Sequence, residues 1–188
     1  MDNIDNQQAT FVSYIAGLME GEGSFLIIKC LYKGWLNYRG VVMLNNTDPD
    51  IIQEFVNYIE SIGIKKWIKG LDRRPKNRRI CYRVEIKQID SRIKFIDSIL
   101  PFMRSKTKIE QAKIVKEFSC YRKEQNQAKN IIRNNQGQFI NGGHKKMTDK
   151  DKEYYERYLK TKESSETTRR IPHIFEGKNI VQTLTIEK

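Results

Sequence analysis

Two glutamates, Glu20 and Glu22, lie one glycine apart where an apolar stretch ends, in the segment YIAGLMEGEGSF of residues 14–25. One interpretation is a solvated helix end, because a glycine turn commonly follows a helix, although carboxylates there interact unfavourably with the helix dipole. The other interpretation is chemical. Acids that face a phosphate repel it unless a divalent cation lies between them, and carboxylate oxygens are good ligands for such hard cations. The pair is therefore a candidate metal site.

The charge of the chain bears on this choice. Lysine and arginine outnumber the acids by 35 to 23 in the 188 residues, which leaves a formal net charge of +12. So strong an imbalance favours a polyanionic partner such as nucleic acid, and a cationic surface that serves only solubility is the alternative. A membrane is a weaker candidate, because no run approaches about 18 apolar residues and no basic amphipathic helix stands out.

Cys30, Cys81 and Cys120 are far apart and show no C-x-x-C spacing. This spacing argues against a disulfide framework and against a zinc site, and it favours reduced thiols. The first residues, MDNIDNQQ, carry acids instead of the basic stretch of a secretory or transit signal. We therefore expect an intracellular protein, and an organelle, a bacterium and a phage-infected cell are equally compatible hosts.

The elements that must position the two acids follow from hydrophobic spacing. A helix is predicted over residues 11–19, ended by the glycines that follow it. Two β-hairpins are predicted within 24–44 and 64–87, with an amphipathic helix over 48–62 between them, and two more helices flank Pro101. The order αββαββα(α) predicts an α+β fold, in which helices cover one face of a four-stranded antiparallel sheet and leave a charged face open.

The chain divides into two predicted parts. Residues 1–125 form a core domain that contains all of the elements above. After it, a stretch rich in glycine and asparagine and a polar helix near TDKDKEYYERYLKTK predict a basic C-terminal extension over 126–188.

Residues 15–23, IAGLMEGEG, resemble the signature motif of the LAGLIDADG homing endonucleases. The match holds at Ala16, Gly17, Leu18, both acids and Gly23, with Ile in place of the first Leu, Met in place of Ile and Gly in place of the second Ala. The motif and the order of elements together extend the resemblance from residue 8 to about residue 120. Only one copy of the motif is present, as in the family members that work as homodimers.

The resemblance implies a phosphodiester hydrolase that cleaves double-stranded DNA at a long pseudo-palindromic site, leaves staggered 3′ overhangs, and reads DNA with a saddle-shaped sheet. In this family Glu22 would bind the catalytic Mg²⁺, for which Mn²⁺ can substitute, and the Gly21 carbonyl would be a further ligand. Lys106, in the matching segment LPFMRSK, would stabilise charge on the phosphate or polarise the attacking water. Asn46 would orient water, although an Asn pair before a helix is also typical of a turn.

The resemblance also implies a homodimer in which the motif helices of two chains pack together. Small residues let two helices approach closely, and the residues predicted at the dimer interface are Ala16, Gly17 and Glu20. Double-stranded DNA and a second copy are the expected partners, and neither a membrane nor a small-molecule substrate is expected.

Residues predicted to contact DNA are drawn from the open face of the sheet and the basic loops. Counting by twos from Glu22 selects one face of the first strand, and the opposite parity would place Lys29 on the DNA. The complete set is Ser24, Leu26, Ile28, Tyr32, Asn37, Arg39, Lys65, Lys66, Lys69, Arg73, Arg74, Arg79, Arg83, Glu85 and Lys108.

Three alternatives remain open, and one of them is a cationic structural module of nucleic-acid complexes, which explains the charge but not the acids. A binding protein on the same scaffold, either an RNA maturase or a DNA-binding protein without cleavage, would share the charge and the fold. It would not need Glu22 and Lys106. A histidine-metal nuclease based on His144 in GGHKK is a third hypothesis, but only two histidines are present and a lone histidine is weak motif evidence.

Overall fold

The computed structural model of the chain describes residues 2–32, 35–65, 67–72, 80–130 and 148–166. The elements in order are α1 (Asp2–Gly21), β1 (Gly23–Tyr32), β2 (Trp35–Asn46), α2 (Pro49–Ser61), β3 (Trp67–Asp72), β4 (Cys81–Ile86), α3 (Ile89–Ile99), a 3₁₀ turn (Leu100–Phe102), α4 (Lys106–Asn130) and α5 (Asp149–Glu166). The predicted α+β class, an antiparallel sheet with helices, is confirmed. Within these residues, every helix is too short or too polar to cross a membrane.

The strands lie in the order β1-β2-β4-β3, and each neighbouring pair is antiparallel. β1 and β2 pair along their whole shared length, from Gly23 opposite Leu44 to Tyr32 opposite Trp35. β4 is half as long as β2, with 6 residues against 12, and it pairs only with 42–46. The part of β2 nearer the hairpin turn therefore extends beyond the end of β4.

The two faces of the sheet differ in burial. On β1, Phe25 and Ile27 are fully buried, whereas Ser24, Leu26 and Ile28 are half-buried. Successive side chains of a strand point to opposite faces, so the helices cover the face that carries Phe25 and the other face is open. The same alternation buries Val84 and Ile86 of β4.

Helix α2 shows how local sequence sets an element. The Asp48 side chain caps its N-terminus by accepting a hydrogen bond from the Asp50 N–H at 2.8 Å, and Pro49 occupies the first turn. Its apolar stripe is buried against β2 and β4, and it also reaches α3, where the Phe55 and Phe95 rings meet edge to face at 5.5 Å. The predicted helix is confirmed.

Helix α5, the polar helix predicted in the C-terminal extension, packs against α4. Its Tyr158 is 2 % exposed and belongs to the same buried cluster as Phe118 of α4. Asp151 is fully buried and pairs with Arg122 at 3.2 Å. Tyr121 and Thr148 share a hydrogen bond of 2.7 Å. The predicted boundary at residue 125 falls within α4, and α5 contributes to the core on the other side of it.

Gly23, the last residue of the motif, lies where α1 turns into β1. A Cβ built on Gly23 would lie 2.7 Å from the Met19 Cα, far inside ordinary contact distance, and Met19 is fully buried. Backbone atoms cannot be displaced as a side-chain end can. Glycine is therefore required here by close packing of the strand on the helix.

Replacing Gly23 by alanine should lower the free energy of unfolding by about 1–3 kcal/mol, because overpacking forces the helix and strand apart. Urea titration followed by circular dichroism measures this change. Gly17→Ala is the matched control, because no atom lies within 4 Å of its built Cβ. The control should keep or raise stability, since alanine favours a helix over glycine by up to about 1 kcal/mol. Equal effects of the two substitutions would contradict the packing argument.

Candidate active site and nucleic-acid interface

Glu22 is the single residue between α1 and β1. Its N–H donates to the Leu18 carbonyl at 2.9 Å, which closes the last turn of the helix, and its side chain is exposed. The chain then enters β1 at Gly23, opposite Leu44 of β2. The carboxylate of Glu22 therefore stands at the end of the sheet, where β1 begins and β2 ends.

Glu20 has a different environment. Its Oε1 accepts hydrogen bonds from the Arg104 N–H, at 2.6 Å, and from the Ser105 N–H. Ser105 caps α4, because its carbonyl accepts from the Ile109 N–H at 2.9 Å. A carboxylate at a helix N-terminus is stabilised by the free backbone donors and the helix dipole. Glu20 therefore holds the start of α4 against the end of α1.

Lys108 makes a second link between the same two segments. Its ammonium donates to the Gly23 carbonyl at 2.6 Å. Lys106, the first residue of α4, lies between Ser105 and Lys108 in sequence, and its side chain is exposed. The two anchors thus fix the exposed Lys106 beside the junction that carries the exposed Glu22. The role of Lys108 as an internal anchor was not predicted from the sequence.

The donor set of this junction suits a hard cation. Glu22 offers an exposed carboxylate, and the Gly21 carbonyl is adjacent in the chain, whereas Glu20 is occupied by backbone donors. Among the residues that the structure describes, no three His, Cys, Asp or Glu side chains lie close enough together to hold a metal.

Asn46 has a structural role. Its Oδ1 accepts from the Asp48 N–H at 2.9 Å in the turn before α2, and in the register it lies opposite Tyr82, on the helix-covered side. Asn45 lies opposite Arg83 and shares the open face with Ser24 and its partner Met43. The Asn46 amide oxygen is thus engaged in the turn, and its predicted role in orienting water stays a prediction, whereas Asn45 is the residue of the pair that lies on the open face.

The open face carries most of the described residues that were predicted to contact DNA. Ser24, Leu26 and Ile28 are half-buried there and Arg83 is exposed, so the parity counted from Glu22 holds. Lys29 has the opposite parity, although it is exposed near the hairpin end. The face is thus apolar along β1, with charge added from β2 and β4.

Besides Lys108, the predicted contacts Arg39, Glu85 and Asn37 are engaged within the chain. Glu85, 9 % exposed, pairs with Arg39 at 3.1 Å across the open face. The Asn37 Oδ1 accepts a hydrogen bond from Arg122 of α4 and another, of 2.9 Å, from the Tyr38 N–H. These groups are therefore held in fixed orientations, which was not predictable from their positions in the strands.

The remaining predicted contacts are divided between described and undescribed residues. Lys65 is exposed between α2 and β3. Lys66, Arg73, Arg74 and Arg79 lie outside the described residues, as do the side chains of Tyr32 and Lys69. Their proposed contacts with DNA stay predictions.

The predicted dimer residues separate into buried and open positions. Ala16 is fully buried within its own chain, so the prediction that it faces a partner helix is corrected. Gly17 and Gly21 are exposed, and nothing lies within 4 Å of a Cβ built on either. They share an exposed stripe of α1 with Tyr14, which is 41 % exposed. Glu20 is held by α4, as described above.

Replacing Glu20 by alanine should lower the free energy of unfolding by about 1–3 kcal/mol, because two backbone donors at the start of α4 lose a charged acceptor. Glu20→Gln keeps an oxygen acceptor without the charge, so its free energy of unfolding should lie between those of the wild type and Glu20→Ala. Glu22→Gln is the matched control and should change stability by less than about 0.5 kcal/mol, because its side chain is exposed. Chemical denaturation measures all three. If Glu22→Gln lowers the free energy of unfolding as much as Glu20→Ala does, the two acids do not differ in their structural role.

No protein-family model matches the sequence, and no curated protein matches it either. Solved structures do match. The LAGLIDADG homing endonuclease I-GzeII, solved in complex with its DNA target, aligns with a TM-score of 0.50 and 12 % identity over 87 % of this chain and 49 % of the I-GzeII chain. This chain therefore spans about half the length of I-GzeII.

Two shorter proteins align over nearly their whole length. The homing endonuclease I-TnaI has a TM-score of 0.49 and 11 % identity, over 84 % of this chain and 97 % of that one. The homing endonuclease I-CvuI, solved with the I-CreI target, has a TM-score of 0.48 and 13 % identity, over 82 % and 97 %. At these identities the similarity concerns the fold. The alignment with I-GzeII shows that this chain shares the α+β fold of a LAGLIDADG homing endonuclease.

Proposed function

We propose that this protein is a metal-dependent, site-specific double-strand DNA endonuclease of the LAGLIDADG homing type, active as a homodimer. The observation that carries the proposal is the junction of α1, β1 and α4. There Glu20 and Lys108 tie α1 and β1 to the start of α4, and Glu22 and Lys106, at the ends of the two segments that these bonds join, are both exposed. A carboxylate and an ammonium that are both exposed, on segments held together by half-buried hydrogen bonds, suit chemistry on a phosphate.

Mg²⁺, or Mn²⁺ in its place, is the proposed cofactor, held by the Glu22 carboxylate and the Gly21 carbonyl. When bound, such a cation neutralises charge on the scissile phosphate and lowers the pKa of a bound water. Lys106 would place its ammonium against the phosphate, and Asn45 would hold a water through its amide. The anchors matter because a shift of the start of α4 would move Lys106 away from Glu22.

The second copy completes the site in this proposal. One chain offers one exposed carboxylate, and two hydrolysed strands require two centres. The stripe of α1 that carries Tyr14, Gly17 and Gly21 would form the contact, because its glycines allow two helices to approach closely. The Glu22 residues of the two chains would then lie close together at the symmetry axis.

The open faces of the two sheets would form a saddle on the DNA. Base edges in the major groove offer thymine methyl groups to Leu26 and Ile28, and hydrogen-bonding atoms to Arg83 and Asn37. Lysines and arginines at the sides would contact phosphates, which position the protein without reading sequence. The net charge of +12 for each chain supports binding that weakens steeply with salt.

Glu22→Gln should reduce the rate of cleavage by about 10²–10³-fold or more, because the substitution removes a charged ligand. DNA binding should be retained, because the shape of the side chain is kept. A library of randomised DNA duplexes incubated with Mg²⁺ and sequenced at the ends measures cleavage, with EDTA as the metal-free arm. Lys106→Gln should also reduce cleavage.

The control is Lys113→Gln, an exposed lysine two turns further along α4, which should cleave like the wild type. Cleavage that survives in Glu22→Gln would refute the assignment of this acid. Binding without any cleavage by the wild-type protein would favour the alternative, a maturase or DNA-binding protein on the same fold.

Gly17→Leu should convert the dimer to a monomer, because a large side chain on the exposed stripe of α1 separates the two helices. Sedimentation analysis should give twice 22.3 kDa for the wild type and 22.3 kDa for the variant. Lys113→Leu, on α4, controls for the added apolar surface. A wild-type protein that sediments as a monomer on DNA would contradict the shared site.

A further inference from the structure

A groove of about 480 Å³ lies beside the part of β2 that extends past the end of β4. Its walls include Arg39 of β2, Arg92 of α3 and Arg122 of α4, with Gly40 at its floor and Leu31 at its rim. A Cβ on Gly40 would lie 3.4 Å from Phe118 and 3.7 Å from the Arg92 Nε, so the absence of a side chain lets α3 and α4 approach the strand.

The three arginines differ in how their charge is balanced. Arg39 pairs with Glu85 at 3.1 Å, and Arg122 pairs with Asp151 at 3.2 Å. Arg92 is 5 % exposed and has no carboxylate within 4.0 Å among the described residues. Burial, and secondarily the charge of Arg39, lower the pKa of Arg92 to about 10, and the Glu85 carboxylate acts in the opposite direction.

Arg92 still has hydrogen-bonding capacity. Its Nη1 donates to the Lys87 carbonyl at 2.6 Å, and its Nε donates to the Ser119 hydroxyl at 3.5 Å. A guanidinium has five N–H groups, so these bonds leave three of them without an acceptor in the described part of the chain. Among the described residues, no Arg92 nitrogen is both buried and without a hydrogen-bond partner, so the N–H groups that lack an acceptor reach the solvent of the groove, where an anion can accept charge-assisted hydrogen bonds from them.

We propose that this groove is a binding site for one phosphodiester group of the nucleic-acid backbone, held by Arg92 with Arg39 and Arg122 beside it. The inference rests on the proposed function as a DNA-binding protein. Arg39 supports the assignment to a backbone phosphate, because it lines the groove and also stands opposite Ile28 on the open face. Phosphates border the major groove on both sides, so a cationic groove at the edge of a base-reading sheet lies where they pass.

The test measures binding to a DNA duplex of mixed sequence by fluorescence anisotropy at a series of sodium chloride concentrations. Arg92→Gln should weaken binding about tenfold at low salt, through loss of a charge-assisted contact. The slope of log K against log salt should become shallower by about 0.9 for each chain. Arg157→Gln, an exposed arginine paired with Glu117 on the outer helices, is the control and should leave the slope unchanged.

Since Arg92 also bonds the Lys87 carbonyl, a second set of variants avoids the risk of misfolding. Leu31 is 51 % exposed at the rim, so Leu31→Glu should weaken DNA binding and Leu31→Lys should strengthen it. Leu159→Glu, at an exposed position of α5, controls for the general change in charge. If Leu31→Glu and Leu159→Glu weaken DNA binding equally, the assignment of the groove is overturned.

The outcomes separate this inference from the proposed function. A wild-type protein that does not bind duplex DNA at all would refute both. A protein that binds DNA with an unchanged slope in Arg92→Gln would refute only the groove. In a further experiment, inorganic phosphate is added at constant ionic strength. If it raises the melting temperature of the wild type but not of Arg92→Gln, and Arg92→Gln binds DNA as the wild type does, the groove binds a free anion and not the DNA backbone.

Discussion

The contact between the Glu20 carboxylate and the N-terminus of α4 is the constraint on which the candidate site depends. It joins residues that are more than 80 positions apart, and with the Lys108 ammonium on the Gly23 carbonyl it fixes the helix that carries Lys106. Without it, two exposed charged residues at the ends of different helices would have no defined relation. Glu20 therefore fixes the position of α4, and with it Lys106, relative to the junction that carries Glu22.

Much of the fold could be predicted from local patterns, because each element has its own signal. The 3.6-residue spacing and the Asp48 cap give α2, and alternation gives β1 and β4. These features depend on neighbours in sequence, which a single chain displays directly. The sequence leaves the parity of β1 open, and the burial of Phe25 decides it.

The features that escaped prediction are contacts between distant segments. Asn46 was assigned to chemistry, but its amide closes the turn before α2, and the register places Asn45 on the open face instead. Ala16 fits a helix contact by size, yet the sequence does not reveal that its own core already surrounds it. Arg122 has no distinguishing pattern in the sequence, whereas in the structure it links Asn37, the Tyr38 carbonyl and Asp151. Side-chain orientation and burial decide these roles, and neither can be predicted from the spacing of residue types along the sequence.

The unequal lengths of β2 and β4 divide the sheet into two zones with different tolerance for substitution. Where β4 pairs with β2, side chains on both faces are constrained by a neighbouring strand, and change there perturbs the core. Beyond residue 42 toward the hairpin turn, one side of β2 is free of β4, and its residues face the groove or the open face. A lineage of proteins with this fold could therefore vary in this overhanging half while the junction of α1, β1 and α4, at the opposite end of the same strand, stays unaltered.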